Sequence, residues 1–368
     1  MKEKKNNNLF KKLISNQIII PIAALAVLML FNLGADLVQK YIMHKDVVSF
    51  FAITLGTSAK GFPVLSGNLI TIIDNASELA ILAIGMTLVT SASGGQDISV
   101  GAAIAIAGSV ILRVLCGGDT SNTSMQAPII VAFLLACVVA MLFGAFNGIL
   151  VAYFRIQPMV ATLILFTAGR SIGAWINNNE LPVINDVEFT YFGGYIPGIP
   201  IPTPFLIAVA CMILIWLVLK FTTLGLYTQS VGINESSSRL NGLNPAFIKF
   251  LTFVILGVCV AVAALIKVSR ISSINYSVIA KDIEMDAILA VALGGNALSG
   301  GKFNMAGSIL GAYVIQFLTT TLFRFQVPSS ALPAYKAVVV IILVVVSAPT
   351  VRNAVSGYFA KKKAKGVA

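Results

Sequence analysis

The stretch ELAILAIGMTLVTSASGGQDISVG, Glu78 to Gly101, decides the fold. Its first part carries no charge from residue 79 to 96 and reaches Ser93-Gly94-Gly95; a second charge-free run, 98–112, follows Asp97. Runs of this kind read as membrane helices, for which about 17–25 mostly apolar residues suffice. Gly-Gly reads as the tight turn between two of them. The arrangement returns 206 residues later, where EMDAILAVALGGNALSGGKFNMAG, Glu284 to Gly307, aligns without a gap. The glutamate, the Ser-Gly-Gly triplet and the last glycine coincide. Internal repeats are common in transporters, whose sites lie where glycines interrupt helices. Any tight membrane hairpin would also select Gly-Gly on its own account.

Composition extends this reading to the whole chain. Of 368 residues, 58% are hydrophobic and 11% charged, with a mean hydropathy of +0.93; a soluble domain carries about 25% charged residues. The solvent for so much apolar surface is lipid. The net charge of +11 is concentrated in Lys2, Lys4, Lys5, Lys11 and Lys12 and in Arg352, Lys361, Lys362, Lys363 and Lys365. Basic tails flanking apolar spans follow the positive-inside rule, and a nucleic-acid-binding protein would instead show a basic face on a soluble fold. The Lys-rich start and the run Ile18–Phe31 read as an uncleaved first helix. Cys116, Cys137, Cys211 and Cys259 are too widely spaced for a disulfide framework or a metal knuckle. His44 is the only histidine, which excludes a Ser–His–Asp triad in the membrane and a His-based zinc site.

The fold class expected is an all-α polytopic membrane protein of about ten transmembrane helices, with both termini cytoplasmic. The spans fall roughly at 14–35, 68–93, 98–116, 127–150, 158–178, 203–221, 249–268, 285–299, 304–324 and 335–351. The divisions are a basic tail 1–13, a transmembrane domain 14–351 and a basic tail 352–368. This topology puts Arg155, Lys220, Arg239, Lys249 and Lys302 inside with the tails, fifteen of 25 Lys and Arg in all. Two long segments face outward, 36–66 and 179–202, the second bearing Glu180, Asp186 and Glu188. The long polar segment on the inner side is 222–248.

Several polar residues fall inside or beside the spans. Asp97 and Ser99 sit just before a helix, where short polar side chains cap backbone N–H groups, although substrate contact would place them there too. Arg170 lies within the fifth span, where an arginine faces protein or a water-filled path; it could pair with Glu78 or Glu284, or snorkel outward. Asn147, Gln157, Thr162 and Thr167 are neutral hydrogen-bonding groups near the membrane. In segment 222–248, Gly232 and Gly242 bracket a short polar stretch, helical around Asn234–Leu240, in which Glu235 and Arg239 are spaced i, i+4. The candidate GGNALSGGKF (294–303) fails as a phosphate loop: five residues separate Gly295 from Gly301, and Phe303 stands where a magnesium-binding hydroxyl belongs.

Four segments together resemble the ribose/galactose-type permease family of bacterial ABC importers. They are AIGMTLVTSASGGQDISVGAAIAIAG (83–108), FNGILVAYFRIQPMVATLILFTAGRSI (146–172), LGLYTQSVGINESSSRLNGLN (224–244) and EMDAILAVALGGNALSGGKFNMAGSILGAYVIQ (284–316). Their IQPMVATLIL…AGR and GGKFN variants look closest to the galactofuranose type. The resemblance implies that segment 222–248 is the coupling segment docking on the ATPase, with Gly232, Asn234, Glu235, Ser238, Arg239 and Gly242 at the contact. It also points to Gly94, Gly95, Asp97, Ser99, Asn147, Thr162, Arg170, Gly294, Gly295, Gly300 and Gly301 as pathway and turn residues. The implied partners are a cytoplasmic ABC ATPase, a second permease subunit (identical or paralogous), an extracytoplasmic sugar-binding protein and membrane lipid; no cofactor, metal or nucleic acid is implied. The expected function is translocation of a galactofuranose-, galactose- or ribose-like monosaccharide, the ATP being hydrolysed by the separate subunit. The alternatives are an ABC permease for a nucleoside or other small polar solute and an ion-coupled secondary transporter, which would need buried carboxylates. A membrane-embedded enzyme would need clustered His, Asp or Glu at one face, and none is visible.

Overall fold

A computed structural model of the chain describes residues 18–42, 48–57, 61–301 and 303–347. The two basic tails, and with them the cytoplasmic placement of the termini, lie outside the described residues, as do His44 and Lys302.

In lipid each backbone N–H and C=O must find its partner within the segment, so the chain is built of helices. In order these are α1 (Ile19–Leu37), α2 (Asn68–Ser93), α3 (Val100–Leu115), α4 (Ile129–Ala152), α5 (Pro158–Ile176), α6 (Thr203–Phe221), α7 (Leu224–Ile233), α8 (Glu235–Leu240), α9 (Pro245–Ile271), α10 (Ile283–Leu293), α11 (Met305–Arg324) and α12 (Leu332–Ser347). Each of the ten expected spans has its helix. Seven of them (α1, α2, α4, α5, α6, α9 and α11) are long and apolar enough to cross a membrane. The helix α3 has 16 residues and α10 only 11. At about 1.5 Å per residue, α10 is too short to cross alone. It ends at Gly294, six residues before Gly300, so the repeat departs from its first copy there: α2 runs on to Ser93.

The strands are few and lie in the segments expected outside: an antiparallel hairpin, β1 (Thr54–Thr57) with β2 (Pro63–Ser66), and a two-residue parallel pair, β3 (Ser121–Asn122) with β4 (Val183–Ile184). The acidic loop is held closed by its own carboxylates. Glu180 accepts from the Thr120 hydroxyl at 2.6 Å, and Asp186 from the backbone N–H of Met125 and Glu188.

Packing sorts the helices into two shells. Within their apolar windows, 72% of α2 and 72% of α9 are buried, against 11% of α6. The outward residues of α6, such as Leu214, Trp216 and Phe221, and those of α4, such as Leu134 and Leu142, form an apolar belt. That is unsuited to water but matched to lipid. The inner shell carries the polar groups Ser77, Glu78, Thr87, Thr90 and Ser91 on α2, and Ser308 and Thr319–Thr321 on α11. Lipid offers little hydrophobic drive between helices, so close backbone approach and interhelical hydrogen bonds hold the bundle. The pair α4 and α9 shows this. The small face Gly144-x-x-x-Gly148 meets Phe250–Val254, and a Cβ on Gly257 would stand 2.5 Å from the Ala140 carbonyl oxygen.

Replacing Gly257 by valine is therefore expected to destabilise the detergent-solubilised protein by about 1–3 kcal/mol of overpacking, read as a lower melting temperature. The same change at Gly34 of α1, where nothing lies within 4 Å, leaves melting unchanged. Equal shifts for both variants would contradict the packing described.

Candidate functional site

The two Ser-Gly-Gly turns meet. Gly94 ends α2 with φ +66°, and a Cβ there would lie 2.8 Å from the Ser299 carbonyl oxygen; a Cβ on Gly300, φ +92°, would lie 3.0 Å from the Gly94 Cα. Positions 206 apart in the sequence thus touch, and only glycine fits both the left-handed backbone and the approach. The Gly301 N–H donates to the Ser91 carbonyl at 3.0 Å, and the Gln96 amide donates to the Leu298 carbonyl at 3.0 Å. The Ser91 carbonyl at the end of α2 and the Leu298 carbonyl of the second turn are thus each met by a donor from the other turn.

On the first turn, four of the residues singled out in the sequence come together. Asp97 Oδ1 accepts from the Ser99 N–H at 2.7 Å and from its hydroxyl at 2.6 Å. The Asn147 amide of α4 donates to Asp97 Oδ2 at 3.2 Å and to the Ser99 hydroxyl at 2.9 Å. The Ile98 N–H donates to the Thr162 hydroxyl at 3.2 Å. The capping geometry differs from the expectation: Asp97 holds the Ser99 N–H, and Ser99 caps no N–H of α3. Asp97 is buried with these neutral donors and has no ion pair among the described residues.

The second turn spans 294–304 and is tied by two asparagines that the sequence reading passed over. The Asn296 amide donates to the Ser308 hydroxyl at 2.8 Å and to the Val291 carbonyl at 3.0 Å, while its oxygen accepts from the Asn304 N–H at 2.6 Å. Asn304 caps α11 through the Gly307 N–H, and Thr87 of α2 donates to Ser308 at 2.6 Å. The helix-start rule at Asn304 was the available signal. Gly294 packs against Gly307 and Ser308, and Gly295 takes φ +81°.

Arg170 forms no ion pair with Glu78 or Glu284. Its Nη1 donates to the carbonyls of Tyr276 at 2.7 Å and Ile279 at 2.8 Å. It thereby satisfies the irregular segment between α9 and α10. Glu78 pairs instead with Lys267 at 2.7 Å and Arg270 at 3.3 Å; Arg270 also reaches Asp74 at 3.2 Å, and Lys336 pairs with Asp286 at 2.8 Å. These cations escaped the sequence reading because they lie just past charge-free runs, where they look like rim residues.

Segment 222–248 folds as two helices, not one. Gly232 lies inside α7, where a Cβ would overlap the Ser91 carbonyl and stand 2.6 Å from the Gly301 nitrogen. The unit α7–α8 is thus seated directly against the paired turns. Asn234 caps α8 by accepting from the Ser237 N–H at 2.9 Å, the half-buried side of α8 presents Ser238, and Gly242 turns out of it with φ +81°. Glu235 makes the expected i, i+4 pair with Arg239 at 3.3 Å and a shorter one with Lys249 of α9 at 2.6 Å. The hydrogen bond from Lys249 holds the Glu235 carboxyl below the ordinary carboxylate range.

A polar-cored helical bundle with broken helices is an architecture suited to passing a polar solute through a membrane. A family model described as branched-chain amino acid transport system / permease component matches residues 68–348, and the chain belongs to that family. It is an integral protein of the cytoplasmic membrane. The chain is 38% identical over 299 residues to the galactofuranose transporter permease protein of Escherichia coli K12, covering 81% of this chain and 85% of that protein. It is 35% identical over 352 residues to the fructose import permease protein of Bifidobacterium longum NCC 2705, covering 94% and 92%. It is also 35% identical over 285 residues to the ribose import permease protein of E. coli K12, covering 76% and 85%. No solved structure matches it.

The Asp97–Asn147 contact gives a direct test. Asn147→Leu removes two donors from a buried carboxylate and hydroxyl and is expected to cost about 1–3 kcal/mol. Adding Asp97→Asn should return part of that loss, so the double-mutant cycle measured by thermal melting is non-additive. Strict additivity would contradict the contact.

Proposed function

We propose that this chain is one half of the conduit of a binding-protein-dependent ABC importer for a monosaccharide. The reading takes the sugar class from the named relatives, which carry galactofuranose, fructose and ribose. Energy enters at α7–α8, the part of segment 222–248 that a cytoplasmic ATPase contacts through Asn234, Glu235, Ser238 and Arg239. A second permease subunit completes the conduit, and an extracytoplasmic binding protein delivers the sugar. Both termini and the inner loops, with Arg155, Lys220 and Lys249, face the cytoplasm, and all ten helices of 11 or more residues contribute to one transmembrane domain.

One observation carries the coupling role: Gly232 of α7 rests on the Ser91 carbonyl that also receives the Gly301 N–H. A displacement of α7–α8 by closing nucleotide domains therefore acts on both helix breaks at once. Rigid-body displacement of a packed element is a common way to propagate such a switch. Lys249 ties α8 to α9, so the second inner-shell helix moves with it.

Reversing the pair as Glu235→Lys with Arg239→Glu sets a lysine against Lys249. It should cut ATP-driven uptake at least about tenfold, the equivalent of roughly 1.4 kcal/mol, while membrane insertion persists. Intact ATPase co-purification and uptake would remove the coupling assignment. The same contact sets a pH expectation. A carboxylate with a lowered pKa contributes stability that is complete above its ordinary value and is lost only as pH falls through the lowered one. Uptake should then show no titration step from Glu235 between about pH 5.5 and 8.

A further inference from the structure

At the end of the bundle opposite α7–α8, the structure holds a cavity of about 370 Å³ between the first turns of α2, the last turn of α9, the segment 275–281, α10 and α11. We propose that this cavity is a binding station for one neutral monosaccharide within the permease, an assignment that rests on the sugar reading above. Sites for small molecules run from about 300 to 1,000 Å³, so this one has room for a single sugar ring and not for an oligosaccharide.

The wall chemistry selects the class of solute. The lining carries two carboxylates, Glu78 and Asp286, and two cations, Lys267 and the exposed Lys281, with Asp74, Arg270 and Lys336 behind it. Glu78 pairs with Lys267 at 2.7 Å, Asp286 with Lys336 at 2.8 Å and Asp74 with Arg270 at 3.2 Å, while Lys281 makes no ion pair among the described residues. A lining whose formal charges cancel and whose carboxylates are all paired offers little net attraction to a carboxylate, a phosphate or an ammonium group. It does offer directional hydrogen bonding. Asn75 gives its oxygen to Arg270 at 3.0 Å, and Asn275 gives its oxygen to the Ser277 N–H at 3.2 Å, which leaves both NH₂ groups as donors. The Gln316 side-chain amide, which also lines the cavity, has no hydrogen bond among the described residues. Glu78 is 4% exposed; one of its oxygens takes Lys267 and Arg270 while Oε2 has no partner among the described residues. A sugar hydroxyl both donates and accepts, and so can serve amide, carboxylate and ammonium alike. Leu79, Ile279 and Ile283 supply apolar surface for the C–H face of a ring.

The sugar should therefore protect this wall from chemical modification. In proteoliposomes holding the complete complex with its ATPase and binding protein, uptake of D-galactose, D-fructose and D-ribose is measured first for the wild type. Val278 lines the cavity and is exposed. A Val278→Cys variant is made in a Cys211→Ala background, the other three cysteines being buried. Its alkylation by a membrane-impermeant maleimide, without nucleotide, is expected to slow at least about threefold in millimolar carried sugar and not in galactose 6-phosphate. Gln316→Leu is expected to lower the maximal uptake rate about fivefold, with binding-protein-stimulated ATP hydrolysis retained as proof of an assembled complex. If the wild type carries none of the three sugars, the monosaccharide reading fails and takes this assignment with it. If the wild type carries sugar but Val278→Cys is not protected, the cavity assignment alone is overturned.

Discussion

A helix can break inside a membrane only where something else in the protein takes up the backbone groups it releases. Much of the bundle's α7–α8 end follows from that constraint. The break after Ser93 and the break between Leu293 and Met305 solve it jointly: Gly301 donates to Ser91, Gln96 to Leu298, and Gly94 and Gly300 permit the approach. The asparagines at 296 and 304 and the Asp97–Ser99–Asn147 cluster complete the accounting. A pair of breaks that satisfy one another forms a junction in which neither can shift without the other.

The two ends of the bundle are built for different work. Around the junction, contacts are short, backbone-mediated and rigid, and α7–α8 is wedged against them through Gly232. At the far end the backbone between α9 and α10 is irregular, held by Arg170, and bordered by ion pairs and amides around an open volume. A conduit that must release its cargo is better served by paired charges and neutral hydrogen-bonding groups than by an isolated charge, which would hold a counter-charged solute too well.

Much of this was legible in the sequence, and the limits are physical. Charge-free runs located the long helices to within a few residues, because lipid sets their length and polarity, but α10 ends six residues short of its expected end and α7 went unseen in a polar segment. The 206-residue echo marked both turns through their glycines, but nothing in it said that the two turns would meet. The short helix around Asn234–Leu240 and the pair Glu235 with Arg239 were local, and local spacing revealed them. Lys249 against Glu235, Lys267 and Arg270 against Glu78, and Lys336 against Asp286 were not legible: each joins residues from different helices, and nothing in one strip of sequence says which helices are neighbours. Arg170 was found as a costly intramembrane charge, but its partners are backbone carbonyls, which carry no sequence signature. Gly232 looked like a boundary and is a contact.

The central claim, that the paired turns are the junction through which force on α7–α8 reaches the pathway, is tested most directly by locking them. Cysteines placed at Gln96 and Leu298, joined in the assembled complex by a short bis-methanethiosulfonate that forms a disulfide with each thiol and releases sulfinate, should fix one break to the other. The account predicts that cross-linking abolishes ATP-driven uptake while ATP hydrolysis continues, and that reduction restores uptake. Full cross-linking with undiminished uptake would contradict it.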